Sequence, residues 1–232
     1  MAQRNAQAQP IPIFVVPDGR PCLVAGGGVV ALRKVEWLLK LGASAEVQAP
    51  QMHPGLLRLA KRHPAQLRLK PGPFRARSLK PYLMAIAATD DPAINGAVSR
   101  MAKRDGVPVN VVDQAPLCGF YVPATLVRGQ LVVAVGSGGA SPALASRLRQ
   151  RLERLLPESL LPWIQAQAGL RAFVLKACPH AACRHQVLTA LARLSPPPAL
   201  RQASQARCLA HLKAKAGPLL LRAHQRNHPG QP

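Results

Sequence analysis

The sequence predicts an α/β fold: a parallel sheet with helical crossovers, then a short α+β segment and a helical C-terminal region. Three observations predict it. Short apolar runs alternate with amphipathic helical patterns across residues 11–113. Tyr82–Ala88 is apolar without alternation, as expected of a strand buried on both faces. From Leu161 onward the chain is rich in Ala and Leu and reads as helix. Strands that alternate with helices imply a parallel sheet, because each parallel neighbour needs a crossover.

Taken in order, Pro21–Ala25 is the first strand and ends in Gly26-Gly27-Gly28. Val30, Leu32, Val35, Leu38, Leu39 and Leu41 then recur at helical spacing, and Gly42 stops the helix. Ala45–Ala49 and Gln66–Leu69 read as strands, Tyr82–Ala88 as another, Pro92–Lys103 as a helix and Val107–Val112 as a buried strand. Phe120–Val127 and Leu131–Val135 are two strands joined through Arg128-Gly129-Gln130, a hairpin or tight connection. Gly136–Ser141 is a loop of small residues. Pro142–Leu156 is a basic amphipathic helix with Ser141 as its N-cap, ended by Pro157. Ser195-Pro196-Pro197-Pro198 breaks the helical tail, and Asn227–Pro232 is expected to be disordered.

Composition narrows the class. With 48% apolar residues but only 3% aromatic, the core must be built from Leu, Val, Ile and Ala. No apolar run approaches the roughly 18 residues of a membrane span, and the polar start lacks a signal-peptide core. Five scattered cysteines (22, 118, 178, 183 and 208) do not read as a disulfide framework, so a reducing cytoplasm is expected. The net charge of +22 raises nucleic acid or an anionic small molecule as partner. Thinly spread bases and few aromatics argue against nucleic acid.

Gly26, Gly28 and Ala31 fit G-x-G-x-x-A between a strand and a helix. The first glycine permits a tight turn, the second lets backbone approach a pyrophosphate, and the helix N-terminus favours negative charge. This predicts a Rossmann-like dinucleotide site. At the end of the second strand, about 20 residues on, a ribose-binding carboxylate is expected. Gln48, Ala49, Pro50 and Gln51 stand there instead, and alternation points Glu46 elsewhere. The choice between NAD and NADP is therefore open.

Further motifs follow in order: Val30-Ala31-x-Arg33-Lys34, then Ala87-Ala88-Thr89-Asp90-Asp91 with Asn95, then Asn110-Val111-Val112-Asp113. Phe120-x-x-Pro123-Ala124 comes next, and last Ser137-Gly138-Gly139-Ala140-Ser141-Pro142. Over residues 11–157 this order and spacing resembles the precorrin-2 dehydrogenase and sirohydrochlorin ferrochelatase family, the N-terminal module of sirohaem synthases. The resemblance implies an NAD-binding Rossmann-like domain at 1–113, a dimerisation segment at 114–157 and a helical region at 158–232. It implies a homodimer with a tetrapyrrole bound near the subunit interface. The activity implied is NAD-dependent oxidation of precorrin-2 to sirohydrochlorin, with insertion of ferrous iron, a substrate, as a further step in many members. Asp113 matches the family's catalytic aspartate and Ser137 its tetrapyrrole-associated serine. Cofactor contacts carry over to Val29 and Val30, and to Pro50 and Gln51. No residue is assigned to a resident metal.

The residue chemistry agrees. Oxidation of a reduced tetrapyrrole releases a hydride and a proton, so a positioned carboxylate suits the base. Asp113 ends a strand, where open parallel sheets bind ligands; its other reading is a turn cap. A polycarboxylate substrate also suits Arg33, Lys34, Arg147 and Arg149. Two departures stand out: Gly136 replaces a common serine, and Gln114 follows the aspartate. Alternatives are a dehydrogenase without chelatase activity, a catalytically lapsed nucleotide-binding regulator, or a nucleic-acid binder on charge alone. Cys178, His180, Cys183 and His185 form a thiol and imidazole cluster. Its spacing is not that of a standard zinc module, and helix packing is the favoured reading.

Overall fold

The computed structural model describes residues 9–178, 180–200 and 202–227. From residue 228 on, the end expected to be disordered lies outside the described residues, as does the polar start up to residue 8. Two compact units form. The first runs to Pro123 and includes Gly136–Pro142; the second holds Ala124–Val135 and the residues from Ala143 on.

In the first unit, β1 (Cys22–Ala25), β2 (Ala45–Ala49), β3 (Leu67–Pro71), β4 (Ala85–Ala87) and β5 (Val109–Val111) form one parallel sheet in the order β3-β2-β1-β4-β5. Helices α1 (Val29–Lys40), α2 (Pro54–Arg62) and α3 (Pro92–Asp105) make crossovers. This is the Rossmann-like architecture expected. β1 is buried along its whole length and feeds two cores by alternation. Cys22 and Val24 pack with Ala31, Val35, Leu38 and Leu56 on one face, while Leu23 and Ala25 pack with Val98, Ala102 and Leu79 on the other. A central strand covered on both sides has no polar face to show, which is why its sequence is an unbroken apolar run.

Local chemistry fixes the helix ends. The Asp91 carboxylate accepts from the Ala93 N–H at 2.8 Å, Pro92 follows it, and Gly106 closes α3 in the left-handed conformation at φ 69°. Such an N-cap contributes about 1 kcal/mol. The sequence reading passed over α2. His53 caps it, its Nδ1 accepting from the Gly55 N–H at 3.0 Å, and Pro54 sits at the first helical position.

Two strands are shorter than their apolar runs. In 78–83, Leu79 N–H and Ser78 Oγ–H donate to Asp105, and Tyr82 N–H turns back to Leu79 O, so the ladder begins only at Ala85. Phe120–Pro123 stays out of the later hairpin because Gly119 and Phe120 return along β5, both N–H groups donating to Val109 O.

In the second unit, β6 (Ala124–Arg128) and β7 (Leu131–Val135) pair antiparallel around Gly129-Gln130, with Gly129 at φ 58° as a tight hairpin requires. α4 (Pro142–Leu155) follows, then α5 (Leu161–Ala177), α6 (Ala181–Ala192) and α7 (Gln205–Asn227). Trp163, Leu170, Val174, Val187, Leu191 and Leu212 form the helical core. Cys178 caps the C-terminus of α5 and forms a disulfide with Cys183 on α6. This corrects the expectation that no cysteines pair. It also removes both thiolates from the suggested metal cluster, because the two residues sit on different helices whose ends meet. Among the described residues no group of three or more His, Cys, Asp or Glu could hold a metal ion.

Candidate active site

The site is built from loops at the C-terminal ends of β1, β2, β4 and β5. The chain leaves β1 towards β2 and β3 on one side, while β4 and β5 lie on the other, so a crevice opens between β1 and β4. Gly26 lies at that point, buried at φ 120°, and a Cβ there would overlap the Ala88 backbone carbonyl. Ala88 N–H donates to Ala25 O at 2.7 Å, pulling the β4 loop onto the glycine turn.

Gly27 closes the other side. Its carbonyl accepts from the His53 N–H at 2.7 Å, and a Cβ on it would overlap the Gln51 carbonyl. The sequence reading singled out Gly26 and Gly28 but not this middle glycine. Three consecutive glycines were the signal. Gly28 differs from both: it is exposed, caps α1 at φ −83°, and a Cβ there meets nothing within 4 Å. Two glycines therefore serve the protein's own packing, and the third leaves open space beside a helix N-terminus. That space is the cradle a pyrophosphate needs.

Val29, 57% exposed, and half-buried Val30 start α1, while Pro50 and Gln51 stand exposed after β2. The glycine loop and the β2 loop thus meet through Gly27 and Gln51. Glu46 is only 6% exposed and is occupied: Tyr82 Oη–H donates to it, and Lys70 Nζ lies 2.9 Å away. Its carboxylate is committed to these two partners.

Asp113 stands two residues beyond β5, exposed, at φ 58°. It is the only non-glycine among the described residues with positive φ. The left-handed region is disfavoured for residues with a Cβ, although Asp and Asn visit it more than most. Lys34, half-buried on α1, has its pKa lowered by that burial first and by Arg33 second; the Asp113 carboxylate opposes the shift. Helix α1 therefore brings a lysine within electrostatic reach of the aspartate. The β4 loop is tied by its own ring: Thr89 Oγ–H donates to Asn95 Oδ1 at 2.8 Å and Asn95 Nδ2–H to Thr89 O at 2.9 Å.

Ser137 is half-buried in the loop leading to α4. Its Oγ accepts from the Ser141 N–H at 3.0 Å, and its carbonyl accepts from the Ala140 N–H. Gly138 and Gly139, at φ 64° and 90°, make the turn, and Gly139 packs on Tyr121. A side chain at Gly136 would find open space. Of the basic candidates, Arg33 and Arg147 are exposed, whereas Arg149 is paired with Glu153, which Arg128 also holds at 3.3 Å.

The switch-point crevice and glycine cradle define the class: a Rossmann-like nucleotide-binding protein. Residues 13–124 match a family model described as putative NAD(P)-binding, and residues 128–155 match one described as sirohaem biosynthesis protein, central. The two matches follow one another along the chain, in the order that the sequence resemblance implies. The chain is 47% identical over 148 residues to the siroheme synthase of Methylobacillus flagellatus, covering 63% of this chain and 31% of that one. It is 42% identical over 174 residues to the siroheme synthase of Methylococcus capsulatus, covering 75% and 36%. The chain thus spans about a third of the length of these relatives. In fold it is similar to SirC, a precorrin-2 dehydrogenase, with a TM-score of 0.66 at 24% identity over 88% of this chain and 99% of that one. No helix among the described residues is long and apolar enough to cross a membrane.

Proposed function

We propose that the chain dehydrogenates precorrin-2 to sirohydrochlorin with NAD. The observation that carries this reading is Asp113, a carboxylate held in the left-handed conformation at the end of β5, beside the crevice that the glycine cradle opens. Backbone strain of order 1–3 kcal/mol collects at functional sites. Bound NAD supplies the acceptor for a hydride leaving a saturated carbon of the substrate. Asp113 takes the accompanying proton, so one C–H and one further C–H or N–H bond break and a new double bond joins the macrocycle. Gly26 and Gly27 shape the cofactor loop, Gly28 leaves room for the pyrophosphate, and Val29, Val30, Pro50 and Gln51 line its two sides. Ser137 and the basic residues Arg33 and Lys34 receive the substrate's carboxylates.

Ferrous iron enters as a substrate in the next step, where the same carboxylate accepts pyrrole protons. A homodimer is supported by α4, whose Leu144, Leu148 and Leu155 are 51%, 40% and 72% exposed on one helical face. A second copy would cover them, and light scattering would show twice the mass of one chain.

The test is anaerobic incubation with precorrin-2 and NAD, following NADH absorbance, for the wild type and Asp113→Asn. Asparagine tolerates the left-handed conformation, so the variant keeps the turn and loses only the base. A rate of NADH formation that falls at least about a hundredfold in the variant, to a residual level that can still be measured, supports the reading. Equal rates would refute Asp113 as the base.

A further inference from the structure

β5 is an edge strand, and an edge needs partners for its outward-facing backbone groups. The chain supplies them by folding back. Beyond Val111 it leaves through Asp113 and a short helical turn at Ala115–Leu117, then returns along the same edge. Gly119 and Phe120 N–H groups donate to Val109 O at 2.6 and 3.2 Å, and Asn110 Nδ2–H donates to Phe120 O at 3.1 Å. At Val111 a side chain joins the backbone as partner. Cys118 Sγ accepts from the Val111 N–H at 3.2 Å and lies 3.1 Å from Val111 O and 3.5 Å from Gln114 O, both acceptors for its S–H. Asn110 Nδ2 approaches it at 3.6 Å.

Cys118 is 5% exposed and belongs to no disulfide. Its sulfur thus ties together Val111 and Gln114, which flank the Val112-Asp113 pair. Ser99 Oγ–H donates to Leu117 O at 2.9 Å and fixes the returning limb from α3. Val112 and Asp113 are the central residues of a turn closed by the Gln114 N–H, which donates to Val111 O at 3.3 Å, and the sulfur holds the two ends of that turn from below.

We propose that Cys118 is a positioning residue: its thiol closes the base of the loop that aims Asp113 at the crevice. This rests on the reading of Asp113 as the base. A displacement of about 1 Å in a catalytic group can cost about a hundredfold in rate. Loss of the sulfur bridge should therefore appear in turnover and not in cofactor affinity, because the glycine cradle lies on other strands.

The experiment compares Cys118→Ala and Cys118→Ser with the wild type, each also in an Asp113→Asn background. Single-turnover NADH formation gives the rate and titration gives NAD affinity. The expected result is a fall of about tenfold or more in the Ala variant with NAD affinity unchanged. Serine, whose hydroxyl also accepts and donates, should restore most of the rate. In the Asp113→Asn background the Ala substitution should have no further effect, since a residue acting through Asp113 is non-additive with it. If the Ala variant does not melt cooperatively, Cys118→Val, of similar volume and without a hydrogen bond, takes its place. Wild-type turnover in the Ala or Val variant overturns the proposal, and so does an equal loss in both backgrounds. If Asp113→Asn alone keeps wild-type turnover, the base reading fails first and the failure is seen without touching Cys118.

Discussion

Gly27 lies so close beneath Gln51 that a Cβ on the glycine would overlap the Gln51 carbonyl oxygen, whereas Gly28, one residue on, faces open space. The two glycines should therefore respond differently to the same methyl group. Gly27→Ala must push the β2 loop away, at a cost of ~1–3 kcal/mol typical of overpacking, and should lower the melting temperature and NAD affinity together. Gly28→Ala should change stability by less than about 1 kcal/mol, the scale of an N-cap substitution. It should nonetheless weaken NAD by about tenfold, because the methyl occupies the pyrophosphate's approach. Calorimetric titration beside a thermal melt separates the two.

Asp105 should shape the acid limb of stability. The Arg104 guanidinium beside it, then the Leu79 N–H, hold its carboxyl far below the ordinary value of 3.8, with Ser78 Oγ–H adding a further bond. A folded pKa below the unfolded one gives stability that is present above pH 3.8 and lost as pH falls below it. Asp105→Asn should therefore melt earlier at neutral pH, and the gap to the wild type should narrow in acid. A gap that is constant across pH would count against this linkage.

The Glu46 and Tyr82 pair offers a stability test away from the site. Glu46→Ala leaves the Tyr82 hydroxyl and the Lys70 ammonium without their acceptor, which costs ~1–3 kcal/mol for a buried group. Adding Tyr82→Phe should recover part of that loss, because two absent partners cost less than one orphan. Urea unfolding of the four proteins in the cycle measures the coupling, and strict additivity would show that the pair does not interact.

The Cys178–Cys183 bridge closes a short loop between α5 and α6. Chain entropy for such a loop is worth about 2 kcal/mol. A reductant, or the double substitution to serine, should lower the unfolding midpoint of the helical unit. An unchanged midpoint would mean that the thiols are not paired in solution.

Much of the first unit was readable from spacing alone. β2 occupies Ala45–Ala49 as expected, and Gly42 stops its helix at positive φ. The hairpin of β6 and β7 turns at Gly129, as the sequence indicated. Strand ends at Tyr82–Met84 and Phe120–Pro123 were not readable, because an apolar run does not say which backbone groups are taken by distant partners. Asp105 holds the first segment and Val109 claims the second. The glycine cradle was legible because its cause is local. The close approach of Gln51 to Gly27 and the hold of Cys118 on the Asp113 turn were not.

By itself the sequence determined the alternation of strand and helix, the place of the glycine turn, and the kinds of residue that end each strand. Those follow from periodicities of two and 3.6 and from the steric limits of glycine and proline, which act over a few residues. Only the tertiary structure decided that Glu46 is spent on Tyr82 and Lys70, that Cys178 meets Cys183, and that a thiol completes the edge of β5 beneath Asp113. These are pairings between positions whose proximity is set by packing, and no local pattern encodes which buried polar group will find which partner.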